Sequence, residues 1–123
     1  MLESCDIMAF VSTTGPARAR AFYEGTLGLR LVSDDDFAAA FDAHGVTLRV
    51  TKVEQLTPQP WTVLGWIVPD IERAMRELAA KGVTFERYEG MPQDEHGAWT
   101  VPGKGVRIAW FKDPDGNLLS LTQ

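Results

Sequence analysis

Apolar side chains recur at helical spacing in two stretches of the sequence, one in each half. In the second half they follow the i, i+3, i+4, i+7, i+8 pattern of a helix with one apolar face. Its apolar positions are Ile71, Ala74, Met75, Leu78 and Ala79. Asp70 is a natural N-cap for this helix, and Gly82 suits the left-handed residue that follows its last turn. The first half holds a similar helix, which begins near Pro16 and ends at Gly28.

Strand-like runs surround each predicted helix. One run precedes each helix, at 6–12 and at 61–68. The runs that follow the helices lie at 29–33, 37–43 and 46–53 in the first half, and at 83–90, 98–102, 105–111 and 118–123 in the second. The DPDG sequence predicts a type I turn in which Gly116 has a positive φ, so that 106–111 and 117–122 form a hairpin.

The two halves share one plan, a strand, a helix and then further strands, which indicates an internal duplication. Neither half of roughly 60 residues buries enough surface to fold alone. We therefore expect a single domain, 1–123, built from the modules 1–57 and 60–123, with the proline-containing link at 57–60 between them. The expected fold class is α+β, in which two βαβββ modules combine into a curved, cup-shaped mixed sheet with the helices on its outer face.

Composition and charge narrow the choice of partners. The net charge of -5 disfavours nucleic acid, because non-specific binding to phosphates needs clustered Lys and Arg. No stretch approaches the roughly 20 apolar residues of a membrane helix, so no membrane partner is expected. The single Cys5 cannot form an internal disulfide, and we expect it to be a buried spectator thiol. Together with an N-terminus that lacks a positive leader, this predicts a cytoplasmic protein.

Two sequence stretches carry a family resemblance. ARAFYEGTLGL at 19–29 and WFKDPDGNLLSL at 110–121, separated by a second strand and helix unit, resemble the glyoxalase/bleomycin resistance/dioxygenase group, the vicinal oxygen chelate superfamily. The resemblance covers nearly the whole chain. It implies a scaffold that hosts lyases, epimerases, dioxygenases, thiol transferases and drug-sequestering proteins, so it specifies a fold more closely than a function.

The resemblance also implies three positions for the ligands of a divalent metal ion. They fall on Met8, Val63 and Ser120 in this sequence. A thioether, an isopropyl group and a lone neutral hydroxyl do not replace the carboxylates or imidazoles that hold a hard divalent ion. We therefore expect no metal ion at these positions and no other cofactor.

The remaining lining of the predicted cup suits a small molecule. Strand alternation places further apolar and hydroxyl side chains on the surface that holds the three vacant metal positions. The predicted ligand contacts are Met8, Phe10, Ser12, Arg49, Val63, Trp99, Trp110 and Ser120. Arg49 is either an anchor for a carboxylate or phenolate, or a rim residue that is solvated or neutralised by Glu54.

The preferred functional hypothesis is a metal-free protein that encloses an apolar or aromatic small-molecule ligand. A homodimer is implied by the resemblance. The main alternative is a lyase, isomerase or dioxygenase that uses an unorthodox metal site, or metal-free acid and base chemistry from Asp94, Glu95 or His96. A further alternative is a scaffold whose surface binds another protein. The sequence assigns no catalytic residue.

Overall fold

The computed structural model describes all residues, 1–123, and divides into two compact units, Met1–Thr57 and Pro58–Gln123. Each unit contains one four-stranded mixed sheet and one α-helix. The predicted α+β fold class, with two modules of similar plan, is confirmed. Neither helix is long and apolar enough to cross a membrane.

The first unit builds its sheet from four strands around a short helix. Its elements are β1 (Met8–Thr13), α1 (Pro16–Arg20), β2 (Arg30–Asp34), β3 (Ala38–Ala43) and β4 (Val46–Lys52). The strand order is β1-β4-β3-β2, with β1 parallel to β4 and the other pairs antiparallel. Pro16 occupies the first turn of α1, as predicted, and the chain continues as a π-helical segment, Ala21–Thr26, before Gly28 at a φ of 75°.

The two faces of the first sheet differ in burial. The helix face carries side chains that are almost completely buried, among them Val11, Phe41 and Leu48. Tyr23 from the π-helical segment packs on this face, with its ring centroid 6.0 Å from that of Phe41. Strand alternation directs Phe10 to the opposite face, which we call the open face, where it is 58% exposed.

The second unit repeats this topology. Its elements are β5 (Thr62–Ile67), α2 (Ile71–Ala80), β6 (Trp99–Thr100), β7 (Arg107–Lys112) and β8 (Leu118–Thr122). The strand order is β5-β8-β7-β6, again with the first pair parallel. The predicted ends of α2 are confirmed, because the carboxylate of Asp70 accepts a hydrogen bond from the Arg73 N–H at 3.0 Å and Gly82 has a φ of 95°.

The predicted strand at 83–90 is wrong. This stretch forms a single antiparallel bridge, between Phe85 and Phe111, and the two-residue β6 extends the same edge of the sheet. The chain between these pieces leaves the sheet because the side chain of Gln93 hydrogen-bonds the backbone of Glu86, Tyr88 and Gly97. Such side-chain bonds give the backbone an alternative to strand pairing.

The predicted hairpin after β7 is confirmed. Gly116 has a φ of 89°, and its N–H donates to the carbonyl of Asp113 at 3.0 Å. The buried carboxylate of Asp113 accepts hydrogen bonds from the N–H groups of Asp115 and Asn117. By contrast, the expectation of a buried Cys5 is wrong, because this residue is exposed near the N-terminus before β1 begins.

Candidate functional site

Three aromatic side chains form a row on the open face of the second sheet. The rings of Trp99 and Trp110 are stacked, with centroids 6.1 Å apart and planes 29° apart. Tyr88 meets Trp110 edge to face, at 5.5 Å and 85°. We call Trp99, Trp110 and Tyr88 the aromatic row. Offset-stacked and edge-to-face contacts are the favourable arrangements of aromatic pairs, so each ring helps to fix its neighbour.

The position of Tyr88 depends on the loop that replaces the predicted strand. The Tyr88 N–H donates to Oε1 of Gln93 at 2.7 Å. Nε2 of Gln93 donates to the carbonyl oxygens of Glu86 at 2.8 Å and Gly97 at 2.7 Å. The amide side chain of Gln93 therefore joins the two ends of the loop and fixes the backbone of Tyr88.

A groove with a volume of about 280 Å³ lies beside the aromatic row within the second unit. The residues that line it include Pro58, Pro60, Glu86, Tyr88, Lys112 and Leu118. Lys112 and Leu118 are register partners, and they lie two residues along their strands from the Trp110 and Ser120 pair. Since alternate residues share a face, the groove and the aromatic row lie on the same open face.

Charges in the groove are few and matched. Nζ of Lys112 lies 3.3 Å from Oε1 of Glu86. Burial raises the pKa of Tyr88, and the Glu86 carboxylate raises it further while Lys112 opposes the change. The Tyr88 hydroxyl therefore stays protonated at neutral pH and can donate a hydrogen bond. The groove offers apolar walls, one phenol and one ion pair, which is the composition of a small-molecule site.

Ser120 lies at the centre of this face. Its register partners are Gly65 on one side and Trp110 on the other, and it is only 9% exposed. A Cβ atom added at Gly65 would lie 2.5 Å from Oγ of Ser120, so the serine hydroxyl occupies the space that a side chain at position 65 would need. Val63 is 44% exposed at the register shift of edge strand β5.

The other predicted contacts lie on the open face of the first sheet. Met8 and Phe10 are 51% and 58% exposed, and Ser12 follows them on the same side of β1. Arg49 is half-buried on β4 and is the register partner of Phe10. The structure therefore brings together Trp99, Trp110 and Ser120 on one sheet, and Met8, Phe10, Ser12 and Arg49 on the other.

The candidate acid and base groups are Asp94, Glu95 and His96. They lie in the loop between the bridge at Phe85 and β6. Oδ1 of Asp94 accepts hydrogen bonds from three consecutive N–H groups, those of His96, Gly97 and Ala98. Partial burial alone would raise the pKa of Asp94, but these donors and Arg107 hold it below its usual value. Asp94 thus serves the loop, while the exposed side chains of Glu95 and His96 pair with each other at 3.4 Å.

The residues at the three implied metal positions do not fit a divalent ion. Met8 and Val63 supply no oxygen or nitrogen donor, and the hydroxyl of Ser120 packs against Gly65. Within residues 1–123, no three side chains of His, Cys, Asp or Glu come together in a group that could hold a metal ion.

Sequence reasoning missed several residues of the groove. Tyr88 and Glu86 fall in the stretch that was expected to be a strand, so their placement depends on the Gln93 contacts. Lys112 carried a usable signal, because it directly follows the predicted strand 105–111 and lies two residues from Trp110. Pro58 and Pro60 were interpreted only as a link between modules.

Comparison with solved structures supports the fold over nearly the full length. A member of the glyoxalase/bleomycin resistance protein/dioxygenase superfamily from Sphaerobacter thermophilus DSM 20745 superposes with a TM-score of 0.77 at 24% identity. The superposition covers 99% of this chain and 98% of that one. A glyoxalase/bleomycin resistance protein from Streptomyces sp. CB03234 gives 0.67 at 22% identity, covering 96% and 99%. Lactoylglutathione lyase from Agrobacterium tumefaciens gives 0.74 at 14% identity, covering 97% and 92%.

Comparison with sequences gives one family and no individual curated relative. No curated protein matches the chain significantly. The family model described as Glyoxalase/Bleomycin resistance protein/Dioxygenase superfamily matches residues 7–121. At these identities the structural similarities establish the fold alone.

Proposed function

Because the chain belongs to the Glyoxalase/Bleomycin resistance protein/Dioxygenase superfamily, we propose that it is a small-molecule-binding protein that encloses an apolar or aromatic ligand without a metal ion. The observation that carries the proposal is the aromatic row beside the groove of the second unit. The proposed contacts there are Trp99, Trp110, Ser120 and Tyr88. Val63 on β5, and Met8, Phe10, Ser12 and Arg49 on the first sheet, remain predicted ligand contacts that lie outside this groove.

The arrangement of the aromatic row favours binding of a flat ligand. Trp110 touches a second ring on each side, Trp99 by stacking and Tyr88 by its edge. Rings that are already fixed lose little conformational freedom when a ligand arrives, so more of the contact energy appears as affinity. The adjacent ion pair and the Tyr88 hydroxyl supply the few polar contacts that orient a ligand in an apolar site.

The chemistry of the available donors supports binding without a metal ion. The positions that the family uses for metal ligands carry a thioether, a branched hydrocarbon and a hydroxyl packed on a glycine. The acid and base alternative finds little support in the loop, because the Asp94 carboxylate is engaged by three backbone donors and Arg107. None of Asp94, Glu95 and His96 is among the residues that line the groove.

We also propose that the protein is a homodimer located in the cytoplasm, with residues 1–123 acting as one domain. Exposed apolar side chains near the edge strand β5 support self-association, since Ile67 is 90% exposed and Trp61 is 61% exposed. Sedimentation velocity tests this point. We expect a dimer for the unmodified chain and a monomer for Ile67→Glu, whereas a monomeric unmodified chain would exclude a homodimer.

The binding proposal is tested with an uncharged aromatic probe, N-phenyl-1-naphthylamine, whose own emission rises in an apolar site. The titration contains a metal chelator throughout. We expect saturable binding that Trp110→Leu weakens by about tenfold or more, because the central ring of the row is lost. Trp66→Leu is the matched control, since Trp66 lies on the opposite face of the same sheet.

Two results would contradict the proposal. One is the absence of saturable probe binding to the unmodified chain. The other is equal loss of affinity in both tryptophan variants while their melting curves show intact folds, because the aromatic row would then have no special part in binding.

A further inference from the structure

Arg49 lies in the middle of the open face of the first sheet. In β4 its register partners are Phe10 on the parallel strand β1 and Ala40 on the antiparallel strand β3. Neighbouring strands are about 4.8 Å apart, so Arg49 lies between an aromatic residue and an alanine on the open face. Thr47 and Thr51 lie two residues before and after Arg49 on the same face.

The charge of Arg49 is not matched within the structure. Other cations of this sheet contact carboxylates: Lys52 lies 2.8 Å from Asp34, and Arg30 lies 3.4 Å from Asp42. The guanidinium group of Arg49 forms neither an ion pair nor a hydrogen bond in the structure, although the residue is half-buried. A half-buried guanidinium with free donors is a favourable partner for an incoming carboxylate, which it can hold through two parallel hydrogen bonds.

Asp35 is a carboxylate that interacts with the charge of Arg49, and one of its two oxygens is engaged by the backbone. Oδ1 of Asp35 accepts the N–H groups of Ala38 and Phe37 at 3.0 and 2.8 Å. These two donors lower the pKa of Asp35 the most, and the positive charges of Arg49 and Lys52 lower it further. Oδ1 of Asp35 is therefore used by the turn between β2 and β3, and the guanidinium donors of Arg49 remain available to another group.

The surroundings limit which anion fits. The end of β2 and the turn before β3 carry three consecutive carboxylates, at 34–36, and Asp35 lies near enough to interact with Arg49. A second negative charge on the ligand would add to the repulsion from these carboxylates, so a single carboxylate suits the one unpaired guanidinium better than a phosphate dianion does. The exposed ring of Phe10 beside Arg49 supplies an apolar surface for the rest of the ligand.

We propose that Arg49 and Phe10 form a binding site for a small aromatic monocarboxylate, with the carboxylate on the guanidinium and the aromatic ring against Phe10. The site is built entirely from the first unit. It does not depend on the groove of the second unit, so a negative binding test for one site does not exclude the other.

Isothermal calorimetry with benzoate tests this proposal, and benzamide serves as the uncharged ligand of the same shape. We expect benzoate to bind the unmodified chain better than benzamide does. Arg49→Gln should weaken benzoate by about tenfold or more and leave benzamide unchanged, while Arg49→Lys should give an intermediate loss. Phe10→Ala should weaken both ligands, because the apolar surface is shared.

Arg30→Gln is the matched control, since it removes one positive charge from the same sheet at an exposed position paired with Asp42. We expect benzoate affinity to change less than twofold in this variant. The proposal is overturned if the unmodified chain shows no benzoate binding, if Arg49→Gln binds benzoate normally, or if Arg30→Gln loses as much affinity as Arg49→Gln. Binding of N-phenyl-1-naphthylamine should persist in Arg49→Gln, which separates this site from the groove.

Discussion

The two sheets share one topology and differ in how side-chain volume is distributed over their open faces. At matching positions across three strands, the first sheet has Phe10, Arg49 and Ala40, while the second has Gly65, Ser120 and Trp110. In the first sheet the long side chain, Arg49, lies on the middle strand of the three, β4, beside the small Ala40. The second places a small residue in the middle beside a tryptophan. One backbone plan therefore presents a charge in one unit and aromatic rings in the other.

The edge of each sheet that lies farthest from β1 or β5 gives a second contrast between the units. In the first unit β2 is a continuous five-residue strand, although its register shifts between Leu31 and Ser33. In the second unit the equivalent edge consists of one bridge at Phe85 and the two residues of β6. The loop between these pieces carries Tyr88 to the aromatic row. Where the first unit has a paired strand, the second unit therefore has a loop that contributes Tyr88 to a candidate site.

The largest expected effect comes from removing the side chain that holds this loop. Gln93→Ala deletes three hydrogen bonds to the backbone, so we expect the free energy of unfolding to fall by about 2 to 3 kcal/mol. Affinity for N-phenyl-1-naphthylamine should fall as well, because Tyr88 loses its support. Gln55→Ala, at an exposed position of the first unit, should change stability by less than about 0.5 kcal/mol.

Urea denaturation measures both glutamine variants. Equal, small changes would mean that the loop is held by something other than the Gln93 amide. A large loss in Gln93→Ala without any change in probe affinity would separate the loop from the candidate site.

Two glycines with the same backbone angle provide a smaller, matched comparison. Gly116 in the second unit and Gly45 in the first both have a φ of 89°. A Cβ atom at Gly116 would lie 3.1 Å from Cγ of Pro58, whereas a Cβ atom at Gly45 would meet nothing within 4 Å. Valine at either position should cost about 1 to 3 kcal/mol because a β-branched side chain tolerates positive φ poorly, with the larger loss at Gly116.

Thermal melting of Gly116→Val and Gly45→Val tests this order. An unchanged melting curve for Gly116→Val would remove the hairpin description of 113–116. A larger loss for Gly45→Val would show that Pro58 does not restrict position 116.

The smallest expected effect is a pH dependence that arises in the loop of the second unit. The pKa of Asp94 is lowered in the folded chain, so its charge stabilises the fold above the unfolded pKa of about 3.9 and this contribution is lost as pH falls through the lower folded value. Asp94→Asn keeps an oxygen acceptor but removes the charge. We expect it to lose about 1 kcal/mol or less at pH 7, since the Asp94 side chain is 40% exposed and its charge is therefore partly screened by solvent.

Denaturation of Asp94→Asn and the unmodified chain between pH 3 and pH 7 measures this effect. The difference between the two should shrink as the pH falls below 4. A difference that stays constant over the whole range would show that the charge of Asp94 does not contribute through the lowered pKa.

The fold was predictable where local signals are strong. Asp70, Gly82 and the DPDG turn each specify a backbone geometry through their own chemistry, and all three lie where the sequence places them. The stretch 83–90 misled because its β-branched and aromatic residues favour a strand, while Gln93, three residues beyond it, binds its backbone instead. A single side chain outside the stretch decided the outcome, and the propensity of the stretch itself does not report such a contact.

The candidate site was predictable only in part. Strand alternation predicted that Phe10 and Ser12 share a face with Met8, and in β1 these residues alternate with the buried Val11, because period-two geometry follows from the strand itself. The stacking of Trp99 and the contribution of Tyr88 depend on where an irregular loop runs. The expected burial of Cys5 rested on the usual preference of free cysteines, which gives no information about a residue outside the sheet.

The most direct test of the central claim is a fluorine NMR titration of the chain labelled with 5-fluorotryptophan. All four tryptophans belong to the second unit, and single Trp→Phe variants assign their resonances. With chelator present, N-phenyl-1-naphthylamine should shift the Trp99 and Trp110 resonances and leave that of Trp66 in place. Shifts confined to Trp61 and Trp66, or shifts that appear only after a divalent metal ion is added, would contradict a metal-free aromatic site on this face.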